Sequence, residues 1–220
     1  RRLMRRQKPG GGPSKELDIR GSRLNDMPKP LTQLTDDEIE RKQCISRLMT
    51  HTLGYFTSRL VGDGFEWLLP VVFSKSTDPL WPDRGASIEK RIEVEIYEKT
   101  VRTTLSMIVH KMVACSLAYA KLFILSPNVR IERKDRAMTG IHAYEFTQLD
   151  FEVREAKSEE IRTLVEKLIC GLVRNLLVVA RDELIRLDRF DKLNAPKAPF
   201  KVYDRRELEE RFGQDYEAQL

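Results

Sequence analysis

A chain of 220 residues is long enough for one full domain, or for one domain with extensions, and its 41% hydrophobic content is ordinary for a globular core. The net charge of +5 is only mildly basic, so charge alone does not call for a nucleic-acid partner. No apolar run approaches the length of a membrane span, no signal peptide is visible, and no Cys/His cluster has zinc spacing.

Residues 1–34 are rich in Arg, Lys, Gly and Pro, and include Arg1, Arg2, Arg5, Arg6 and Lys8. They read as a flexible basic arm, with nucleic-acid contact as the sharper alternative. The chain opens on Arg1 rather than Met, which reads as a fragment or a processed product. Thr35 with Asp36, Asp37 and Glu38 signals a helix start, because acids in a first turn suit the helix dipole. Its stripe Ile45, Leu48, Met49, Thr52, Leu53, Phe56, Leu60 has helical spacing, and Gly62 and Gly64 end it. Phe65–Phe73 reads as a strand. Pro70 inside it cannot donate to a ladder, which makes it an edge, a bulge or an interface element.

A loop over 74–90 precedes the alternating strand Arg91–Tyr97 and a short strand over 100–105. A helix over 106–119 carries the stripe Ile108, Val109, Met112, Val113, Ser116, Leu117, and Leu122–Leu125 reads as a buried strand punctuated by Ser126-Pro127. A long helix with Ser158 as its cap follows, then a linker over 194–199, a short strand over 200–203 and a final helix capped by Asp204. Cys44, Cys115 and Cys170 are far apart, each in an apolar helical pattern, and read as buried free thiols of a reducing compartment. Helices mixed with antiparallel strands give an α+β class.

The richest stretch is Val129–Val153, two strand-like runs around a polar loop over 133–140. With a period of two, Arg130 and Glu132 share one face of the first run, and His142, Tyr144, Phe146, Gln148, Asp150 and Glu152 share one face of the second. The opposite face carries Ile141, Ala143, Leu149, Phe151 and Val153. The plain reading is a hairpin with one wet face. The sharper one is a polar floor for a charged, planar ligand.

These residues carry a resemblance. Helix, strand with proline, then strand-loop-strand with Arg-x-Glu and a downstream Phe resembles the catalytic core of class II aminoacyl-tRNA synthetases, an antiparallel sheet flanked by helices. HAYEFTQLDFEV, with VRIE before it, is similar to the second signature motif of the aspartyl, asparaginyl and lysyl subgroup. The helix over 36–61 plus GFEWLLP resembles the first motif, which lies at a dimer interface in the family. LSMIVHK resembles the segment supplying a lysine to the substrate's side-chain carboxylate, although Ile108 stands where aspartyl enzymes have a glutamine. TDPLWPD and LSPNVRIE are similar to the archaeal-type asparagine synthetases that derive from asparaginyl-tRNA synthetase. The likeness covers about Thr35–Gly213. An anticodon-binding barrel and the Gly-rich third motif are not found. Residues 35–220 are therefore expected to be an incomplete catalytic domain, truncated before that motif.

The resemblance implies roles. Arg130 would be the catalytic cation, holding a carboxylate against the α-phosphate of ATP. Its plain alternative is a cross-strand bridge to Asp150 or Glu152. Glu132 would accept from the adenine amino group, Phe146 would stack on adenine, and His142 would lie near the triphosphate. Gln148 and Asp150 would line the α-phosphate and the substrate ammonium. Lys111 would bind the β-carboxylate of aspartate, with Ser106 and Asp78 at the pocket edge, and Glu152 would help hold Mg2+.

The expected function is AMP-forming ligation, in which aspartate is adenylated and ammonia displaces AMP to give asparagine. The alternatives are the core of an asparaginyl- or aspartyl-tRNA synthetase and a non-catalytic dimerising paralogue. Expected partners are aspartate, ammonia and a second copy through the 36–70 region. A tRNA is possible without an anticodon-binding domain, no membrane is involved, and the location is cytoplasmic.

Overall fold

The computed structural model describes residues 33–75, 88–133 and 143–213. The chain divides into two units, Arg1–Gln43 and Cys44–Leu220. In the first, the described residues open a helix. The Thr35 amide donates to Glu38 Oε2 at 2.9 Å, and the Glu38 amide donates to Thr35 Oγ1 at 3.2 Å. This reciprocal pair satisfies two of the amides that a helix start leaves over. The helix, α1, spans Asp36–Gly62. It closes in a turn where the Phe65 amide donates to Leu60 O at 3.0 Å. Gly64 sits there at φ +82°, a conformation that suits glycine.

Within the second unit, the expected strand over 65–73 is two pieces. β1 (Glu66–Leu68) runs parallel to β6 (Lys121–Val129), whereas β2 (Phe73–Ser74) pairs with β5 (Lys99–Thr103). Pro70 lies between them, where its missing N–H breaks the ladder and sends the chain from one sheet to the next. β3 (Ile88–Lys90) pairs with β7 (Ile131–Glu132), and β4 (Glu93–Ile96) forms a hairpin with β5. Tyr97 and Glu98, both at positive φ, make the hairpin turn and shorten the strand expected over 91–97. The three described sheets have the orders β1-β6-β8, β2-β5-β4 and β3-β7.

The central pair is β6 and β8 (Glu145–Val153), antiparallel and in unbroken register from Lys121↔Val153 to Val129↔Glu145. Ser126-Pro127, expected to end the strand, lies inside β6. The Val129 amide donates to Thr104 O at 3.1 Å, on the side away from β8. Two residues earlier, the Pro127 nitrogen faces that same side. β1 pairs only as far as Ile124, so no ladder bond is lost there.

The period of two gives this pair chemically different faces. On the back, Phe123 and Leu60, both fully buried, form a core with Phe65 and Leu168, joined by Leu149, Phe151 and Val153. Leu168 belongs to α3 (Ser158–Val179), which with α1 covers this face. The two helices come so close that a Cβ on Gly171 would run into Tyr55 Oη. On the front, Leu122 and Ile124 pack with Met107 and Cys115 under α2 (Ile108–Leu117).

The α3 start differs from expectation. Lys157 is the N-cap, its amide donating to Glu160 Oε2 at 2.7 Å, and Ser158 is the first helical residue. The short helix α4 (Arg181–Arg186) follows. No strand forms over 200–203, because the Phe200 amide is taken by Glu166 Oε1 at 2.9 Å. Asp204 caps α5 (Arg205–Phe212) as expected, accepting from the Arg206 amide at 2.8 Å. The three cysteines are buried and free. No helix among the described residues is long and apolar enough to cross a membrane.

Candidate functional site

α2 covers only the Lys121 end of the front face, and the composition of the face changes where its cover stops. Leu122↔Glu152 and Ile124↔Asp150 are followed by Ser126↔Gln148 and Asn128↔Phe146, all pointing to the same side. Ser126 and Asn128 are fully buried. The Ser126 hydroxyl donates to Asn128 Oδ1 at 3.0 Å, and Asn128 Nδ2 donates to Gln148 Oε1 at 2.7 Å. With its oxygen taken, Gln148 presents its amide nitrogen as the donor end, which suits an anionic oxygen.

At the α2 end, Lys111 Nζ lies 3.3 Å from Asp150 Oδ1 and 3.6 Å from Glu152 Oε2. Lys111 and Asp150 are mostly buried, with side-chain exposures of 16% and 14%. Asp150 Oδ2 is buried with no hydrogen-bond partner among the described residues. An unsatisfied buried acceptor costs about 1–3 kcal/mol, and an N–H donor from a ligand would recover it.

At the other end, the Arg130 amide donates to Tyr144 O at 2.8 Å. Arg130 Nε donates to Leu105 O at 3.0 Å, and the guanidinium lies 4.9 Å from the centre of the Phe146 ring. This differs from the cross-strand bridge weighed for Arg130. Asp150 faces Ile124, six residues along β6, or about 20 Å at a strand's rise, beyond the reach of an arginine. Lys111 serves the two carboxylates instead.

The structure thus brings Arg130, Phe146, Gln148, Asp150, Glu152 and Lys111 along one face. Glu132 lies beyond Arg130 on β7, half-buried and paired with Ile88. Ser106, also buried, accepts from the Ile108 amide at 3.4 Å and lines a separate recess with Thr103 and His110. His142 and Asp78 lie outside the described residues. Ser126 and Asn128 were not singled out from the sequence. The signal was there, since both share parity with Arg130 in an otherwise apolar run, but Pro127 masked it. No group of three His, Cys, Asp or Glu side chains gathers as a metal cluster among the described residues.

A twisted antiparallel pair with a polar front and helices on its back is the architecture of a class II synthetase core. The asparaginyl-tRNA synthetase of Entamoeba histolytica superposes with a TM-score of 0.60 at 18% identity, covering 74% of this chain and 33% of that one. Its complex with asparaginyl-adenylate gives the same score at 19% identity and the same coverage. The asparaginyl-tRNA synthetase of Pyrococcus horikoshii, complexed with asparaginyl-adenylate, follows at 0.58 and 16%, covering 78% of this chain and 40% of that one. At such identities the likeness is one of fold. This chain spans only 33–40% of the length of these structures. Comparison with curated proteins finds no match. Residues 88–219 match the family of class II tRNA synthetases (D, K and N), and the chain belongs to that family.

Proposed function

We propose that this domain activates aspartate with ATP and passes the aspartyl group to ammonia, giving asparagine, AMP and pyrophosphate. The observation that carries this reading is the single face running from Arg130 and Phe146 through Gln148 to Asp150 and Lys111, with Asp150 Oδ2 given no donor among the described residues. Phe146 and Asp150 are four residues apart on β8, about 14 Å, which suits an extended aminoacyl-nucleotide.

The substrate ammonium would donate to Asp150 Oδ2. Lys111 has three N–H donors; with Asp150 and Glu152 beside it, one is left to take the aspartate carboxylate that is not activated, the α-carboxylate when the side chain becomes the amide. Adenine would stack at Phe146, with Glu132 accepting from its amino group and His142 near the triphosphate. Arg130 and the Gln148 amide would hold the carboxylate and the α-phosphate together, two anions that repel without a cation between them. An oxygen of the side-chain carboxylate attacks phosphorus and pyrophosphate leaves. Ammonia then attacks the acyl carbon, AMP leaves with the bonding pair, and the nitrogen sheds a proton. Magnesium would neutralise the triphosphate, with Glu152 as the carboxylate offered to it.

A second reading is the catalytic core of an asparaginyl- or aspartyl-tRNA synthetase, which family membership favours. TDPLWPD and LSPNVRIE support the ammonia-dependent reaction instead. Incubation with ATP, magnesium, aspartate and ammonium is expected to release AMP and free asparagine. AMP appearing only with tRNA would move the assignment to the second reading. No aspartate-dependent AMP or pyrophosphate under either condition would leave a non-catalytic paralogue.

The buried free thiols support a reducing, cytoplasmic setting. The helix–strand region supports a homodimer, since Met49, Trp67 and Leu69 are 59%, 50% and 84% exposed. Sedimentation at micromolar concentration is expected to give twice the chain mass, and Leu69→Glu to return it to the monomer. A wild-type monomer at every concentration would overturn this.

A further inference from the structure

The front row of β8 does not stop at Glu152. Arg154 is next in the period of two, and its amide donates to Ala120 O at 2.9 Å, which ties the residue to the start of β6. Its guanidinium reaches the C-terminal end of α2. Arg154 Nε donates to Cys115 O at 2.8 Å, and Nη2 donates to Cys115 O at 2.7 Å and to Tyr119 O at 3.1 Å. The way α2 ends explains why Cys115 O is open to it. The Tyr119 amide, which a continuing helix would send to Cys115 O, goes instead to Ala114 O at 3.1 Å, where the Ala118 amide already donates at 2.9 Å. The last turn of α2 carries no basic residue of its own. Arg154 therefore supplies, from the end of β8, both the donors and the positive charge that a helix C-terminus favours. It stays exposed, so its charge keeps water and bears little burial cost.

The helix is thus tied to one stretch of chain at two points. Lys111 precedes Cys115 by about one turn, or about 6 Å along the axis, and meets Asp150 and Glu152. Between the ties, Met107 and Cys115 pack on Leu122 and Ile124. Such packing presses α2 onto the sheet, but it is non-directional and does little to fix where the helix sits along its axis or how it is rotated. Hydrogen bonds are directional, and three from one planar group set both. The margin at Lys111 is small. Its partners lie at 3.3 and 3.6 Å, so a shift of about 1 Å would take both beyond bonding distance. Lys111 and Asp150 are mostly buried, which leaves the lysine stem little room to compensate.

We infer that Arg154 is a positioning residue for Lys111: it holds α2 by its C-terminal carbonyls and so sets the ammonium between Asp150 and Glu152. Arg154 acts through the helix and is not itself placed on the ligand. The consequence for aspartate rests on the adenylation reading; the coupling of Arg154 to Lys111 does not.

Two measurements on the full chain separate this role from that of a plain helix cap. The first is a thermal cycle of Arg154→Ala, Lys111→Met and the double variant. A cap that acts on α2 alone gives additive losses of Tm. A residue that positions Lys111 makes Lys111→Met lower Tm at most about half as much in the Arg154→Ala background as in the wild type. Arg154→Gln, which keeps one donor, takes its place in the cycle if Arg154→Ala does not fold. The second is aspartate-dependent exchange of pyrophosphate into ATP. Arg154→Ala is expected to raise the KM for aspartate about tenfold, the scale of one hydrogen bond to a charged group, and to leave the KM for ATP within about twofold. Arg154→Lys keeps a cation at the helix end without the planar fork, and is expected to recover most of the Tm but only part of the aspartate KM. Additive Tm losses, or an aspartate KM that stays at the wild-type value, would overturn the inference. A wild type without aspartate-dependent exchange would instead overturn the adenylation reading, and the thermal cycle would still decide the role of Arg154.

Discussion

Replacing Arg130 by alanine is expected to lower aspartate-dependent exchange of pyrophosphate into ATP by about a thousandfold while the domain stays folded. Loss of one preorganised group aimed at developing charge costs about a hundred- to a thousandfold, and a full cation between two anions belongs at the upper end. The fold loses less. Arg130 Nε gives up one hydrogen bond to Leu105 O, and Phe146 loses its cation, together on the order of 1–2 kcal/mol. Arg130→Lys keeps the charge without the planar fork and is expected to fall between wild type and alanine. Wild-type exchange in Arg130→Ala with an unchanged circular dichroism spectrum would remove Arg130 from the chemistry.

The second large effect is expected at Lys111. Its ammonium neutralises two carboxylates whose side chains project from one face of β8, two residues apart. Lys111→Met keeps most of the stem and leaves Asp150 and Glu152 as neighbouring like charges, one of them mostly buried. Breaking a fully buried pair costs about 3–5 kcal/mol; with Glu152 a third exposed, about 2–3 kcal/mol is expected here. For a chain of this size that lowers Tm by about 5–10 °C. Adding Glu152→Gln to Lys111→Met removes one of the like charges and is expected to restore part of the loss. Aspartate affinity is expected to fall in both variants, since neither offers the carboxylate that is not activated a cation. An unchanged Tm together with unchanged aspartate affinity would show that the triad is incidental.

Much of this site could be read from the sequence because a strand's period is short and its two faces here differ in chemistry. Phe146, Gln148, Asp150 and Glu152 fall on one side by counting, and Leu149, Phe151 and Val153 on the other. What counting could not reach was partnership across distance. Lys111 and Asp150 are 39 residues apart and meet only because α2 packs its apolar side on Leu122 and Ile124. The plain alternative for Arg130, a bridge to those carboxylates, fails on distance, because the register of β6 against β8 places Arg130 at the far end of the pair.

Two prolines act through the direction in which the backbone nitrogen faces. Pro70, expected to mark an edge, a bulge or an interface element, separates two strands of two sheets. Pro127 does not end its strand, because its nitrogen faces a side with no ladder to break. The break expected at Pro127 hid Ser126 and Asn128, the buried pair that orients Gln148. Phe200–Tyr203 alternates like a strand, yet a carboxylate on α3 claims the amide that a ladder would have used.

The unbroken register of β6 against β8 restricts how this stretch can vary over time. Nine consecutive pairs hold Leu149 and Phe151 against the core and Gln148 and Asp150 against the ligand side, with nothing but parity deciding which is which. Inserting or deleting one residue in the middle of either arm would bury a carboxylate among Leu60, Phe65 and Leu168 and turn phenylalanine towards the ligand. Two residues added or removed together would restore the alternation. Length changes here are therefore tolerable in even steps or at the ends of the pair, and descendants of this chain are expected to differ in length there or elsewhere.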